Sequence, residues 1–140
     1  MKQGLVPGAE IAFAVTVTPD MYPAFDGTAI HEVMSTVTMI YYMEKAGREM
    51  IVPFLDEEEE ASGLALDIKH IGPAVAGQEV TFRAVCVEVG AKRMVCEVTA
   101  ETRINLVGKG TFTQAIFYKN TMAERLTALR RKAEEEQKRS

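Results

Sequence analysis

The chain is 140 residues long, 47% hydrophobic and 26% charged, with a formal net charge of −4. That length suits one domain with a modest core, and the acidic balance excludes a general nucleic-acid binder, which needs a basic face. No run reaches the length of a membrane span, and Met1-Lys-Gln-Gly-Leu-Val-Pro7 lacks the apolar stretch of a signal peptide, so a cytoplasmic protein is expected.

Residues Glu10 to Thr18 alternate, with Ile11, Phe13, Val15 and Val17 set against Ala12, Ala14, Thr16 and Thr18, the pattern of a half-buried strand. Pro19-Asp20 ends it, and the stretch to Ile30, with Pro23 and Gly27, reads as irregular. Its aromatic residues Tyr22 and Phe25 are placed to pack as a lid. Ser35 or Thr36 is a fair N-cap for the next segment, which runs helically to Val52. Apolar side chains cover much of its circumference, from Val37, Ile40 and Tyr41 to Met50 and Ile51, so burial is expected. Pro53 stops the helix, and Asp56 to Glu60 reads as a solvated acidic loop rather than a metal site.

The remainder is a string of strands. Leu64, Leu66, Ile68 and His70 share one face of the first. The next two form a hairpin around Gly90-Ala91-Lys92. Pairing Val89 with Arg93 sets Cys86 against Cys96, Ala84 against Val98 and Phe82 against Ala100, one continuous apolar face. The two cysteines are too few and too far from a histidine for zinc, and buried thiols are expected. A last strand, Thr111 to Tyr118, follows Gly108-Lys-Gly110. Thr121-Met-Ala-Glu124 has the spacing of a capping box. It opens a charged terminal helix to about Lys138, with Leu126 and Leu129 as its main apolar contacts. The order implies an α+β fold, an antiparallel sheet wrapped around one long central helix over residues 1–120, with residues 121–140 as an added helix. Open sheet edges invite pairing with a second copy, so a homodimer or a higher oligomer is expected.

Three residues stand out as chemistry: a hydroxyl at Thr36, a carboxyl at Glu44 and an imidazole at His70. Together they make a plausible acyl-transfer site. Each has a plainer alternative. Thr36 serves as a helix cap, Glu44 pairs with Arg48 one turn on, and His70 is a hydrogen-bonded core histidine. His31, just upstream of the helix, is the one other imidazole. There is also a geometric constraint: eight helical residues span roughly 12 Å, so Thr36 and Glu44 cannot touch along one straight helix. Either Thr36 lies on a folded-back loop, or the site draws on two protomers; the second is preferred.

The segments Val33-Met-Ser-Thr-Val-Thr-Met-Ile-Tyr-Tyr-Met-Glu44 and Leu66-Asp-Ile-Lys-His-Ile-Gly-Pro-Ala-Val-Ala-Gly-Gln-Glu-Val80 resemble the hot-dog fold, in particular the fluoroacetyl-CoA thioesterase-like group. The likeness covers roughly Val6 to Phe117. It implies a cofactor-free hydrolase of small or medium acyl-CoA thioesters, with no metal and no nucleic-acid or membrane partner. Thr36, Glu44 and His70 would be catalytic. The Gly63 N–H would meet the thioester carbonyl, and the stretch from Phe25 to Ile30 would shape the acyl pocket. Ala29-Ile30 carries no aromatic side chain there. The basic residues Lys69, Lys92, Arg93, Arg103 and Lys109 are available to CoA phosphates, and none is singled out. Two rival readings stay open: an enoyl-CoA hydratase or dehydratase on the same scaffold, and a non-catalytic acyl-CoA-binding or regulatory module.

Overall fold

A computed structural model of the chain describes residues 1–139. Strand β1 (Glu10–Thr16) is followed by a miniature hairpin, β2 (Ala24–Phe25) and β3 (Thr28–Ala29), inside the stretch expected to be irregular. The hairpin turns on Asp26 and Gly27, both at positive φ, a conformation that favours glycine at the second position. Helix α1 (Thr36–Ile51) comes next. Four strands then run on: β4 (Glu59–His70), β5 (Glu79–Val89), β6 (Arg93–Glu101) and β7 (Leu106–Tyr118). Helix α2 (Lys119–Arg139) closes the chain. The main sheet is antiparallel in the order β1-β5-β6-β7-β4, which leaves β1 and β4 as free edges.

Helix α1 starts where its sequence can cap it. Ser35 is the N-cap, its hydroxyl accepting from the Thr38 N–H at 3.0 Å. The helix buries Met39, Met43, Ala46, Gly47, Met50 and Ile51 against the inner face of the sheet. Contact is close because Gly47 has no side chain: a Cβ there would stand 2.5 Å from the Phe112 ring. The expectation of burial around most of the circumference is corrected. Val37 is 79% exposed and Tyr41 62% exposed. Residues 37, 41, 44 and 48 fall at helical spacing on one exposed stripe, its start at Val37 and Tyr41 apolar and its end at Arg48 bonded to β4.

Three boundaries also move. The hairpin pairs Val89 with Met94 rather than Arg93, while Cys86 faces Cys96, Ala84 faces Val98 and Phe82 faces Ala100 as expected. A bulge at Val87 absorbs the extra residue, so the turn slips by one and the buried face stays in register. Strand β7 begins at Leu106, five residues before Thr111, because Gly108 and Gly110 lie inside the strand rather than breaking it. A Cβ on Gly108 would strike the Met39 thioether and one on Gly110 the Asp67 carbonyl oxygen, so both mark close approaches. Helix α2 runs straight on from β7 at Lys119, which puts Thr121 within the first turn rather than at the cap. None of its residues is buried, and Leu126 and Leu129 are 41% and 62% exposed, as suits a charged helix set apart from the core. Ser140, the last residue assigned to that helix, lies outside the described residues.

The acidic segment is only partly a solvated loop. Glu59 already belongs to β4, is 7% exposed, and lies 3.0 Å from the Met1 amine. Cys86 and Cys96 are buried free thiols, and burial pushes Cys96 up to about 12. Strand β4 departs from a simple buried alternation. A register shift between Gly63 and Ala65 puts Leu64 in a bulge, and every residue from Ser62 to Asp67 is exposed.

The glycine contacts set an order of costs. Gly110→Ala must separate two backbones and is expected to lower stability by about 3 kcal/mol, whereas Gly108→Ala mainly displaces a flexible methionine and should cost about 1 kcal/mol. Urea midpoints of the two variants check this, and equal losses would contradict it.

Candidate active site

The three sequence-flagged residues fall into two recesses rather than one. In the first, Thr36 Oγ1 lies 2.7 Å from His70 Nδ1. Thr36 is the first helical residue of α1 and His70 the last residue of β4, so a helix start and a strand end hold the pair. The threonine O–H donates to Nδ1 of a neutral ring, whereas in the imidazolium Nδ1–H donates to the threonine oxygen and Nε2–H is free to act as an acid. The surrounding cavity is about 540 Å3 and is lined by Tyr22, Phe25, His31, Val33 and Val37 among others. The N–H groups of Thr36 and Val37 have no intrahelical acceptor and stand at the same place, since the Ser35 cap serves Thr38.

The second recess, of about 310 Å3, holds Glu44, Gly63 and Gln114 over the Phe112 ring. A Cβ on Gly63 would stand 3.4 Å from Phe112 and 3.9 Å from Glu44 Oε2, so the missing side chain is what opens the space. The strand register also fixes where the Gly63 N–H points. Lys119 N–H donates to Glu58 O at 2.8 Å, and hydrogen-bonded pairs alternate along an antiparallel ladder. The N–H groups of Ala61 and Gly63 therefore face the free edge of β4. Ala61 spends its own on the Glu60 carboxylate at 2.9 Å. Gly63 has no such partner and is a ready donor to a carbonyl oxygen.

Seven residues of strand separate Gly63 from His70, roughly 23 Å at 3.3 Å per residue. With the helical rise between Thr36 and Glu44, this keeps the two recesses apart within a protomer. Thr36 is a helical residue beyond the Ser35 cap, which removes the folded-back loop. Phe25 lines the first recess. Ile30 does not: it is 52% exposed, and its N–H donates to Pro23 O at the base of the small hairpin.

Two lining residues were given no site role from sequence, where His31 stood only as the less favoured imidazole. His31 joins the first recess. Gln114, 2% exposed, lines the second and donates through Nε2 to Gly47 O at 2.9 Å. Its signal was legible: Phe112, Gln114 and Ile116 alternate onto one inner face, where a polar residue between two apolar ones needs a reason.

Glu44 does not pair with Arg48. The Arg48 guanidinium turns to Glu60 at 2.9 Å and to Ala61 O at 3.2 Å. That hydrogen bond, helped by the Ala61 N–H, holds the Glu60 carboxyl below its usual range. No group of three His, Cys, Asp or Glu side chains able to hold a metal occurs among the described residues, and no described helix is long and apolar enough to cross a membrane.

A helix wrapped by an antiparallel sheet, with an acid and an amide donor on one side and a hydroxyl–imidazole pair on the other, defines a hot-dog thioesterase. A Thermus thermophilus thioesterase superfamily member superposes with a TM-score of 0.88 at 30% identity, covering 94% of this chain and 98% of that one. The fluoroacetyl-CoA thioesterase structure superposes at 0.82 with 22% identity, over 90% and 98%, and shares the fold. In sequence, the fluoroacetyl-CoA thioesterase of Streptantibioticus cattleyicolor is 27% identical over 124 residues, 84% of this chain and 89% of that protein. The chain belongs to the fluoroacetyl-CoA-specific thioesterase family, whose sequence profile matches residues 17–120. It is a thioester hydrolase acting on acyl-CoA.

The Arg48–Glu60 pair has a pH signature. Because Glu60 titrates below its unfolded value, its contribution is present at neutral pH and is lost as acid protonates the folded form. Arg48→Met is therefore expected to lower the urea midpoint at neutral pH, the gap to wild type closing as pH falls through the acid range. A gap that stays constant would remove the pair from the account.

Proposed function

We propose that the chain hydrolyses small or medium acyl-CoA thioesters as a homodimer whose active sites are shared between protomers, with Glu44, His70 and Thr36 as the catalytic groups. The observation that carries this is the split geometry: Glu44 with the Gly63 N–H in one recess, Thr36 bonded to His70 in the other. Two copies joined antiparallel along their free β4 edges would place Gly63 of one beside the partner's His70. The exposed apolar residues Leu64 and Leu66 on β4, and Val37 and Tyr41 on α1, favour the same surface as the contact.

In such a site the Gly63 N–H receives the thioester carbonyl oxygen. Glu44 takes a proton from a water whose oxygen then bonds to the carbonyl carbon, with the developing oxyanion held by that N–H. When the C–S bond breaks, the departing thiolate takes the Nε2 proton of a His70 imidazolium, whose Nδ1–H donates to the Thr36 oxygen and so steadies the ring. Regenerating the enzyme returns the proton of Glu44 to solvent and one from solvent to His70. The residues at 1–120 form the catalytic unit in this reading. The charged α2 stands apart from it, in keeping with its lack of buried residues and with a family match that ends at residue 120.

Glu44→Ala and His70→Ala are each expected to cut kcat on the order of 10²–10⁴-fold, the usual worth of a general base or acid. Glu44 is exposed and His70 only partly buried, so thermal melting should hardly move. Free-thiol release from acyl-CoA measures it, and full activity in Glu44→Ala would remove the assigned role.

Sharing has its own test. Co-expressed Glu44→Ala and His70→Ala chains should recover roughly a quarter of wild-type activity, because half the two-fold dimers then hold one site with both groups intact. Activity no higher than that of the single variants would place each site within one protomer.

A further inference from the structure

The recess beside Thr36 and His70 is unusual in what it lacks. None of its lining side chains is an acid, a lysine or an arginine, and its walls are largely apolar and aromatic. Its polar groups are mostly spoken for. Ser35 accepts from Thr38 N–H and donates to the Thr38 hydroxyl, while Thr36 and His70 satisfy each other. His31, the Tyr22 hydroxyl, His70 Nε2 and the first N–H groups of α1 remain for a ligand, and none of them is an ion partner of fixed charge. A charged acyl tail placed here would lose its hydration with no ion to replace it.

Size points the same way. At about 540 Å3 the space lies within the range of cavities that enclose whole small molecules, far more than a two-carbon acyl group fills. Phe25 stands at its rim 69% exposed, carried by the β2–β3 hairpin and turned toward the recess it lines. An apolar chain lying in the recess would give that ring a surface to cover.

We infer that the acyl group this enzyme selects is uncharged, apolar and larger than acetyl, a medium linear, branched or aryl chain seated between Phe25 and the first turn of α1. This rests on the thioesterase reading above and narrows it. Selectivity then comes from burial. Each methylene moved out of water contributes roughly fourfold in kcat/KM, so acetyl-CoA to hexanoyl-CoA should span on the order of a hundredfold.

The experiment is a kcat/KM series on the full-length wild-type chain with acetyl-, butyryl-, hexanoyl-, phenylacetyl- and succinyl-CoA, repeated with Phe25→Ala. Expected are a rise from acetyl to hexanoyl, phenylacetyl in the upper part of the range, and succinyl about tenfold or more below butyryl. Phe25→Ala should lower the hexanoyl-to-acetyl ratio of kcat/KM about tenfold. A flat or falling series, or succinyl-CoA turned over as well as hexanoyl-CoA, overturns the inference and leaves the thioesterase standing. A ratio unchanged in Phe25→Ala overturns the seat beside that ring. Hydrolysis of no thioester at all overturns the function and the inference together.

Discussion

Thr36 and Glu44 lie eight residues apart on one α-helix, and a helix does not compress. The rise of roughly 12 Å sets how far apart the hydroxyl and the carboxyl must be, whatever the loops do. Strand β4 repeats the constraint on the other wall of the fold, with Gly63 and His70 seven residues apart on a nearly straight ribbon. Both elements carry one residue of each half of the site. The halves are therefore held at a fixed separation, and the proposed two-fold dimer would bring complementary halves together without distorting either element.

The free edge of β4 is where that operation would act. An exposed edge with Leu64 and Leu66 on it is ordinarily a liability, because unpaired N–H and C=O groups recruit other chains. Here the same edge presents the Gly63 N–H, and the bulge at Leu64 lies directly after it. Glycine at 63 does two things at once. It leaves room between Phe112 and Glu44, and it lets a ligand carbonyl reach the backbone. Gln114, opposite Gly63 on β7, ties this wall to α1 through the Gly47 carbonyl, so that helix and sheet hold the recess open from both sides.

Much of this was legible in the sequence, and the misses have physical causes. Strand alternation placed the inner face of β5 and β6 correctly from Phe82 to Cys86, because a buried apolar face tolerates one register. The turn slipped by a residue because a bulge at Val87 costs little next to that face. Gly108 and Gly110 read as a break since glycine usually punctuates, whereas here it allows Met39 and the β4 backbone to come close. Thr121 looked like a cap because a capping box is local, and no local rule announces a helix that continues straight out of a strand. The separation of Thr36 from Glu44 followed from helical rise alone. The apolar stripe on α1 was visible too, but sequence could not say that its outer part, at Val37 and Tyr41, is exposed.

The two recesses differ in polarity, and hydrolysis gives that difference a use. A carboxylate that activates water works best where water can reach it, and Glu44 lies in an open recess without an ion partner. An acyl chain is gripped best where water is unwelcome, and the recess beside Thr36 has its hydroxyls and one imidazole already bonded to each other. One protomer cannot offer both surfaces at a single carbon atom. Joining two copies would set the wet wall of one against the dry wall of the other, so that burial draws the acyl group to one side while the charged chemistry stays on the other. On that proposal, the split between the recesses would also keep the carboxylate that activates water out of the apolar pocket that holds the acyl group.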